Sequence, residues 1–266
     1  MAVIENSFRQ KLDAGAPTIG THFMLADPDV PELIGDSGAF DYAEFVAEYS
    51  SFDMTLLSHL ARSAQCGNLP LMIKLDQAGQ AFWAQAALGA GFKSVLFTDI
   101  RTPDDVVRAH QSVRADAPGV DGHMGVKLRR PALAGYNPSR YGTDLDSIVT
   151  LIMIEKDVAF QDLDAILTVA RDLKIDMTQW GPADFSFSRG QPELMGTDEI
   201  REIEETVIRK SIEYGVAPRI EIGAVEQAPR YLDLGVRHFC IGWDRFVVQS
   251  GLAALGKGLR TLIDEA

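Results

Sequence analysis

Cysteine is scarce: Cys66 and Cys240 are the only two in 266 residues. Two cysteines cannot make a disulfide framework, and no CxxC pair is present to suggest a thiolate metal site. Cys240, inside the apolar run His238-Phe-Cys-Ile-Gly242, reads as a buried thiol. Positive charge is also short. Lys and Arg number 25 against 38 Asp and Glu, a net charge of −13, which lacks the basic face that a nucleic-acid binder shows. An acidic average still permits an anionic substrate, because a pocket can differ from the surface around it. No apolar run reaches the ~20 residues needed to span a bilayer. The segment Met1–Leu12 carries charges and no apolar h-region. A cytoplasmic protein with neither membrane nor nucleic acid as partner is expected. A chain this long buries roughly three quarters of its unfolded surface, so it needs no disulfide or structural metal to fold.

What is present is a rhythm. Eight short, β-rich apolar runs recur: Pro17–His22, Tyr42–Ala47, Leu71–Leu75, Ser94–Thr98, Thr150–Glu155, Ile175–Trp180, Arg219–Gly223 and Arg237–Gly242. Stretches with helical start signals or 3.6-residue spacing separate them. Asp27-Pro28 and Thr102-Pro103-Asp104-Asp105 set a capping residue before a proline of the first turn. Phe160-x-x-Leu163-x-x-Ile166-Leu167 and Ile200-x-x-Ile203-x-x-x-Val207-Ile208 carry the helical period. Eight strand-then-helix units in ~250 residues predict a (β/α)₈ TIM barrel, an α/β fold, as a single domain over 1–266. The rival open doubly wound sheet lacks support, since no GxGxxG follows any of the strands. One connection is long. The insert of about 111–147 holds His123, Lys127, Arg129, Arg130 and Arg140, and ordered loops of that length are usually functional.

In such a barrel the site lies at the C-terminal ends of the strands. The polar residues closing the runs are therefore the candidates: His22, Glu48-Tyr49, Lys74, Asp99, Glu155, Asp184 and Asp244. A carboxylate just past a strand often caps the next helix, the ordinary role for Asp99 and Asp244. Glu155 differs, because it ends the apolar run Leu151-Ile-Met-Ile154, where an unpaired charge is costly. Asp184 follows the stiff turn Trp180-Gly-Pro-Ala183. The two come from consecutive strands and so fall side by side at the mouth. Paired carboxylates with room for water and a bidentate ligand suit Mg²⁺ or Mn²⁺.

From about Gly20 to Leu255 the chain resembles the HpcH/HpaI family of class II pyruvate aldolases. The matching segments are Gly20-Thr-His-Phe-Met-Leu-Ala-Asp-Pro28, Ile154-Glu155 with Leu163-Asp-Ala-Ile166, Gly181-Pro-Ala-Asp-Phe185, and Phe239-Cys-Ile-Gly-Trp-Asp244. The resemblance implies a (β/α)₈ barrel in a trimer-based homo-oligomer, a trimer or hexamer. It implies Glu155 and Asp184 as ligands of a divalent cation, and backbone N–H groups of Ala183 and Asp184 as holders of a substrate carboxylate. It implies a metal-dependent carbon–carbon lyase acting on 4-hydroxy-2-oxo acids through a pyruvate enolate, with an aldehyde as the other product.

The rest of the family pattern departs. The family's DGEH after strand 2, whose Asp-supported His is the general base, reads Val46-Ala47-Glu48-Tyr49 here. The substrate-binding Arg at the end of strand 3 is Lys74, and the Gln two residues before the metal Glu is Met153. His22, Glu48 and His123 are the possible replacements for the base, with His22 favoured because its pKa suits neutral pH. Tyr49 can serve as base only if the metal or Lys74 lowers its pKa. His22, Tyr49 and Lys74 are thus the catalytic candidates, and Lys74 is also a substrate-binding candidate. The alternatives are a 2-oxo acid decarboxylase on the same metal site, a non-catalytic metal and oxo-acid binder, and a Schiff-base aldolase using Lys74.

Overall fold

The computed structural model describes residues 6–126 and 138–266. Among the described residues ten strands form: β1 Thr18–Phe23, β2 Tyr42–Val46, β3 Leu71–Leu75, β4 Ser94–Phe97, β5 Asp116–Ala117, β6 Val120–Asp121, β7 Val149–Ile154, β8 Met177–Trp180, β9 Ala217–Ile222 and β10 His238–Trp243. Eight of them close a parallel barrel in the order β1-β10-β9-β8-β7-β4-β3-β2. These are the eight runs expected from the sequence, with ends moved by a residue or two. The expected (β/α)₈ barrel is therefore the fold. Only the antiparallel pair β5–β6 stands apart, and it lies in the long insert. The helix Pro138–Asp146 follows in the same insert. Lys127, Arg129 and Arg130 fall outside the described residues, and so does the side chain of Arg140.

Strand parity decides what faces the barrel axis. Tyr42, Met72, Leu96, Val149, Leu151, Met153 and Met177 fill the interior with Phe8, all buried. Phe8 comes from the helix Ser7–Asp13 and stacks on Tyr42 at 4.2 Å, so this helix stoppers the N-terminal end. Arg9 of the same helix grips Asp176 through two hydrogen bonds of 2.6 and 2.7 Å. Above this apolar plug the interior turns polar. Arg219 and Glu44, both fully buried, pair at 2.6 Å, and the Arg219 guanidinium lies 5.5 Å from the centre of the Tyr42 ring. Each charge depends on the other, since an unpaired ion here would cost several kcal/mol. A second, larger core forms between the strands and the outer helices, where Phe45, Ile73, Phe97 and Ile152 meet Leu57, Ala87, Val106 and Leu167.

Two local expectations shift. Asp27 accepts the N–H of Asp29 at 2.9 Å, but the helix Asp29–Asp36 starts one residue later than the Asp-Pro pair suggests. The periodic run through Phe160 and Leu163 is two helices, Asp157–Gln161 and Leu163–Asp172, with a break at Asp162. Thr102 does hold the N-cap position before Pro103, as expected, and its backbone N–H and hydroxyl both donate to Asp105 Oδ2, at 2.8 and 3.0 Å. Cys240 is fully buried, as expected.

At the N-terminal end of β10, His238 Nδ1 lies 2.9 Å from Thr18 Oγ1. Burial, with Arg237 beside it, pushes the imidazole pKa down to about 4. The folded state then binds fewer protons than the unfolded chain between about pH 6.5 and 4. Stability is intact above the unfolded value and is lost as pH falls through that window. His238→Gln should remove up to about 2 kcal/mol of this acid-linked loss. Urea unfolding of both proteins at pH 7.5 and 5 checks it, and parallel pH slopes would show that His238 plays no part.

Candidate active site

At the C-terminal ends of the strands the barrel opens into a cavity of about 970 Å³. Its lining includes His22, Tyr49, Lys74, Glu155, Ala183 and Asp184. These six residues, given catalytic, substrate-binding or metal roles from the sequence, therefore converge on one space, whereas the further candidates Glu48, Asp99 and Asp244 are not among its lining.

Glu155 follows the last residue of β7 and is nearly buried. Its Oε1 accepts the backbone N–H of Asp99 at 2.7 Å. Burial, with a contribution from nearby Asp184, raises its pKa to about 7 in spite of that hydrogen bond and of Lys74 and Lys156. Gly181 makes room for it. A Cβ at that position would stand 2.7 Å from Glu155 Oε2 and 2.9 Å from Met153 Cε, so no larger residue fits. Pro182 then starts the helix Pro182–Ser188, which sets Asp184 in the first turn at the cavity wall. The N–H groups of Ala183 and Asp184 belong to that turn and so have no partner within the helix.

Asp99 does not cap a helix. It holds a left-handed backbone (φ 57°), its N–H goes to Glu155, and its carboxylate lies 2.6 Å from Lys156 Nζ. Lys156 also donates to Asp184 Oδ1 at 2.7 Å. Burial alone would lower the Lys156 pKa, but Asp184 and Asp99 outweigh it and raise it. Asp244 is not the cap expected of it either: Trp243 holds the N-cap position, Asp244 is the first helical residue, and its carboxylate accepts the N–H groups of Met24 and Leu25 at 3.0 and 2.8 Å.

His22 faces the interior from β1, which lies opposite β7 in the ring of eight. It is 5% exposed and packs edge-on against Trp243 at 4.8 Å. Its Nδ1 lies 3.7 Å from Glu221 Oε2 of β9, the strand beyond β10 in the ring. Lys74 is tied to Glu48 at 2.9 Å. Burial would lower its pKa, yet Glu48 and Glu44 hold it well above the ordinary lysine value. An ammonium held so firmly is a poor imine-forming amine, and the Schiff-base alternative finds no support. Lys74 Nζ also sits 5.1 Å from the centre of the Tyr49 ring. Lys74 does not bring the Tyr49 phenol into the basic range: burial raises its pKa to about 12. Tyr49, half-exposed at the rim, is therefore a proton donor at neutral pH. His123 is not among the residues that line the cavity.

Sequence reading missed four participants: Lys156, Glu221, Gln179 and the Glu44–Arg219 pair. Lys156 stands next to Glu155 and was open to notice. The others sit on strands where a polar residue looks like an exposed face until closure points it inward. Among the described residues, the buried Gln179 Oε1 and Trp243 Nε1 have no hydrogen-bond partner, and both residues line the cavity. Buried polar atoms of this kind favour a polar ligand.

Fold and site together define a barrel enzyme with two acidic residues and an imidazole converging on its mouth. The chain belongs to the HpcH/HpaI aldolase/citrate lyase family, whose model matches residues 54–249. Membership carries the class of activity, an aldolase-type carbon–carbon lyase. Among similar proteins, the 4-hydroxy-2-oxo-heptane-1,7-dioate aldolase of Shigella boydii serotype 18 is 28% identical over 253 residues, covering 95% of this chain and 94% of that one. The hydroxypyruvate/pyruvate aldolase of Deinococcus radiodurans is 26% identical over 242 residues, covering 91% and 85%. The same barrel appears in a solved HpcH/HpaI aldolase/citrate lyase family protein from Burkholderia cenocepacia J2315, with a TM-score of 0.83 at 23% identity over 95% of this chain and 99% of that one.

The family's class II aldolases depend on a metal ion, and the donor set here fits a hard divalent cation. Among the described residues no cluster of three or more His, Cys, Asp or Glu is arranged to hold a metal. Two carboxylates are enough for Mg²⁺ or Mn²⁺, which keep several water ligands and take further oxygens from substrate. Glu155 uses one oxygen for Asp99 and Asp184 one for Lys156, so each carboxylate has a second oxygen that could take a cation.

Proposed function

We propose that the chain cleaves and forms 4-hydroxy-2-oxo acids, releasing pyruvate and an aldehyde, with Mg²⁺ or Mn²⁺ held by Glu155 and Asp184. The observation that carries this reading is the placement of Glu155 and Asp184 at one wall of the cavity with His22 on the strand opposite. When bound, the cation supplies Lewis acidity that draws electron density from the 2-oxo group. The N–H groups of Ala183 and Asp184 hold the substrate carboxylate and so orient the chain of the oxo acid across the mouth. His22 accepts the proton of the C4 hydroxyl as the C3–C4 bond breaks, with Glu221 beside Nδ1 favouring the imidazolium that results. Tyr49 and Lys74 donate to substrate oxygens at the rim, where Lys74 offers a point charge in place of a bidentate fork.

The direct test is pyruvate release from a panel of 4-hydroxy-2-oxo acids, with Mn²⁺ or Mg²⁺ and after chelation. Metal-dependent release supports the reading. Oxo-acid binding without release, or carbon dioxide release from oxaloacetate alone, would replace it with the binder or decarboxylase alternative.

The same proposal includes a homo-oligomer. The helix Asp244–Asp264 buries none of its residues. Leu252, Leu255, Leu259 and Leu262 on it are each more than 60% exposed. In an ordinary barrel the helix after β10 covers the outside of β10 and β1, yet Ile19 of β1 is 45% exposed. An apolar helix that buries none of its residues, beside an exposed Ile19, suits exchange with a second copy. The native protein should run as a trimer or hexamer, and Leu255→Asp with Leu259→Asp should reduce its mass in solution by light scattering. An unchanged mass would remove this helix from the interface. A cytoplasmic setting accords with the two free thiols, exposed Cys66 and buried Cys240. Among the described residues no helix is long and apolar enough to cross a membrane.

A further inference from the structure

Glu155 and Asp184 line the cavity, whereas Lys156 and Asp99 do not. The ammonium of Lys156 lies behind the acidic pair, in a residue only 8% exposed. It stands 2.6 Å from Asp99 Oδ1 and 2.7 Å from Asp184 Oδ1, so one cation is shared by two carboxylates. Asp99 is built into the same unit by its backbone. Its left-handed conformation turns its N–H onto Glu155 Oε1 at 2.7 Å, and its carbonyl takes the Gln77 side-chain amide at 3.1 Å. Asp99 is thus fixed from two sides, while Lys156 has four rotatable bonds between its anchor and two anionic seats.

We propose that Lys156 is a built-in counter-ion that competes with the divalent cation for Asp184 and sets the metal affinity of the site, with Asp99 as the seat to which its ammonium retreats. This rests on the reading of Glu155 and Asp184 as metal ligands. The electrostatics are simple. A cation on the free oxygen of Asp184 and an ammonium on the other would be like charges a few ångströms apart, and the Lys156 side chain, 10% exposed, is largely shielded from water. Withdrawal of the ammonium toward Asp99 relieves that repulsion without leaving a buried lysine unpaired.

Calorimetric titration of the full chain with Mn²⁺ tests it. Lys156→Met keeps the length of the side chain and removes the charge, so Mn²⁺ should bind roughly 10-fold tighter or more. Asp99→Asn keeps the backbone N–H to Glu155 and a residue type that accepts the left-handed conformation, but it removes the anionic seat. The ammonium then stays on Asp184, and Mn²⁺ should bind roughly 5-fold weaker or more. Lys156→Arg retains the charge and should lie within about threefold of wild type. Opposite signs from two residues that touch the same ammonium are not produced by structural damage, which would weaken binding in both. Lys156→Gln is the second charge-free variant, should Lys156→Met fail to fold. Unchanged or weaker binding in the charge-free variants overturns the proposal while leaving the metal ligands in place. Binding in Lys156→Met alone supports it in its strongest form. Absence of Mn²⁺ binding in wild type and charge-free variants alike overturns both the proposal and the metal reading.

Discussion

Glu155→Gln should abolish Mn²⁺ and Mg²⁺ binding and reduce pyruvate release by at least ~10³, because the Lewis acid contributes several kcal/mol to the transition state. The substitution is nearly isosteric. The amide oxygen can keep the N–H of Asp99 that Glu155 Oε1 accepts now, so the left-handed turn at Asp99 is preserved. The space beside Gly181, which allows no Cβ, still takes a planar group of the same size. The fold itself gains or holds steady, since burial disfavours the charge of Glu155 and an amide is cheaper to bury than a carboxylate. Loss of metal binding at undiminished melting temperature is the expected pair of results. Asp184→Asn should act in the same direction, and Asp184→Ala more severely. Native metal affinity in any of these variants would show that the cation is held elsewhere.

His22→Gln should lower kcat by ~10² to 10⁴ and leave the Mn²⁺ affinity unchanged, the signature of a lost general base. His22 and the metal pair stand on opposite strands of the ring, so the two functions separate by mutation. In the proposed function the substrate is gripped at the acidic wall and by the turn at Ala183, so KM should move little. A partial rescue should come from the rim of β2. Val46 and Tyr49 both line the cavity and are joined by the short turn Ala47–Tyr49. Tyr49→His with Val46→Asp, placed in the His22→Gln background, offers a new imidazole with a carboxylate to orient it. A recovery of ~10-fold or more is expected. Val46 is buried, so the new Asp needs that partner to be tolerated. Lys74→Arg is the third change, since its fork holds an oxo acid at a fixed angle. Wild-type kcat in His22→Gln would pass the role of base to Glu48, which now holds Lys74.

These two experiments probe residues whose visibility in the sequence differs. Glu155 and Asp184 stand out because their signals are local. One is a charge at the end of an apolar strand, and the other follows a Gly-Pro turn that can only be a tight entry to a helix. The eight barrel strands were legible for the same reason: each is a short apolar run between helix signals. Their number, with the absence of a dinucleotide fingerprint, left the closed barrel as the consistent topology. The helix start at Thr102-Pro103 needs only adjacent residues to be legible, and Thr102 is the N-cap there.

The pairings that tune the site were not legible. His22 and Glu221 are 199 positions apart, and Arg219 and Glu44 are 175 apart; barrel closure alone brings them together. Burial of a polar strand residue turns on parity: a shift of one position in β9 would send Arg219 and Glu221 to the outer face. Local pattern does not determine which face is which, because both faces of these strands are covered, one by the interior plug and one by helices. The Tyr49 pKa of about 12 and the firm charge of Lys74 are likewise products of depth and neighbours. Lys156 shows the division most clearly. Its place beside Glu155 was written in the chain, but its two partners come from the segments that follow β4 and β8, which only the assembled barrel sets within 3 Å of one ammonium. Sequence thus determined the barrel and the acidic pair, since these depend on adjacent residues and their periodicity. Tertiary structure decided which charges face one another, since the field at a site is the sum over groups that are near in space and far apart along the chain.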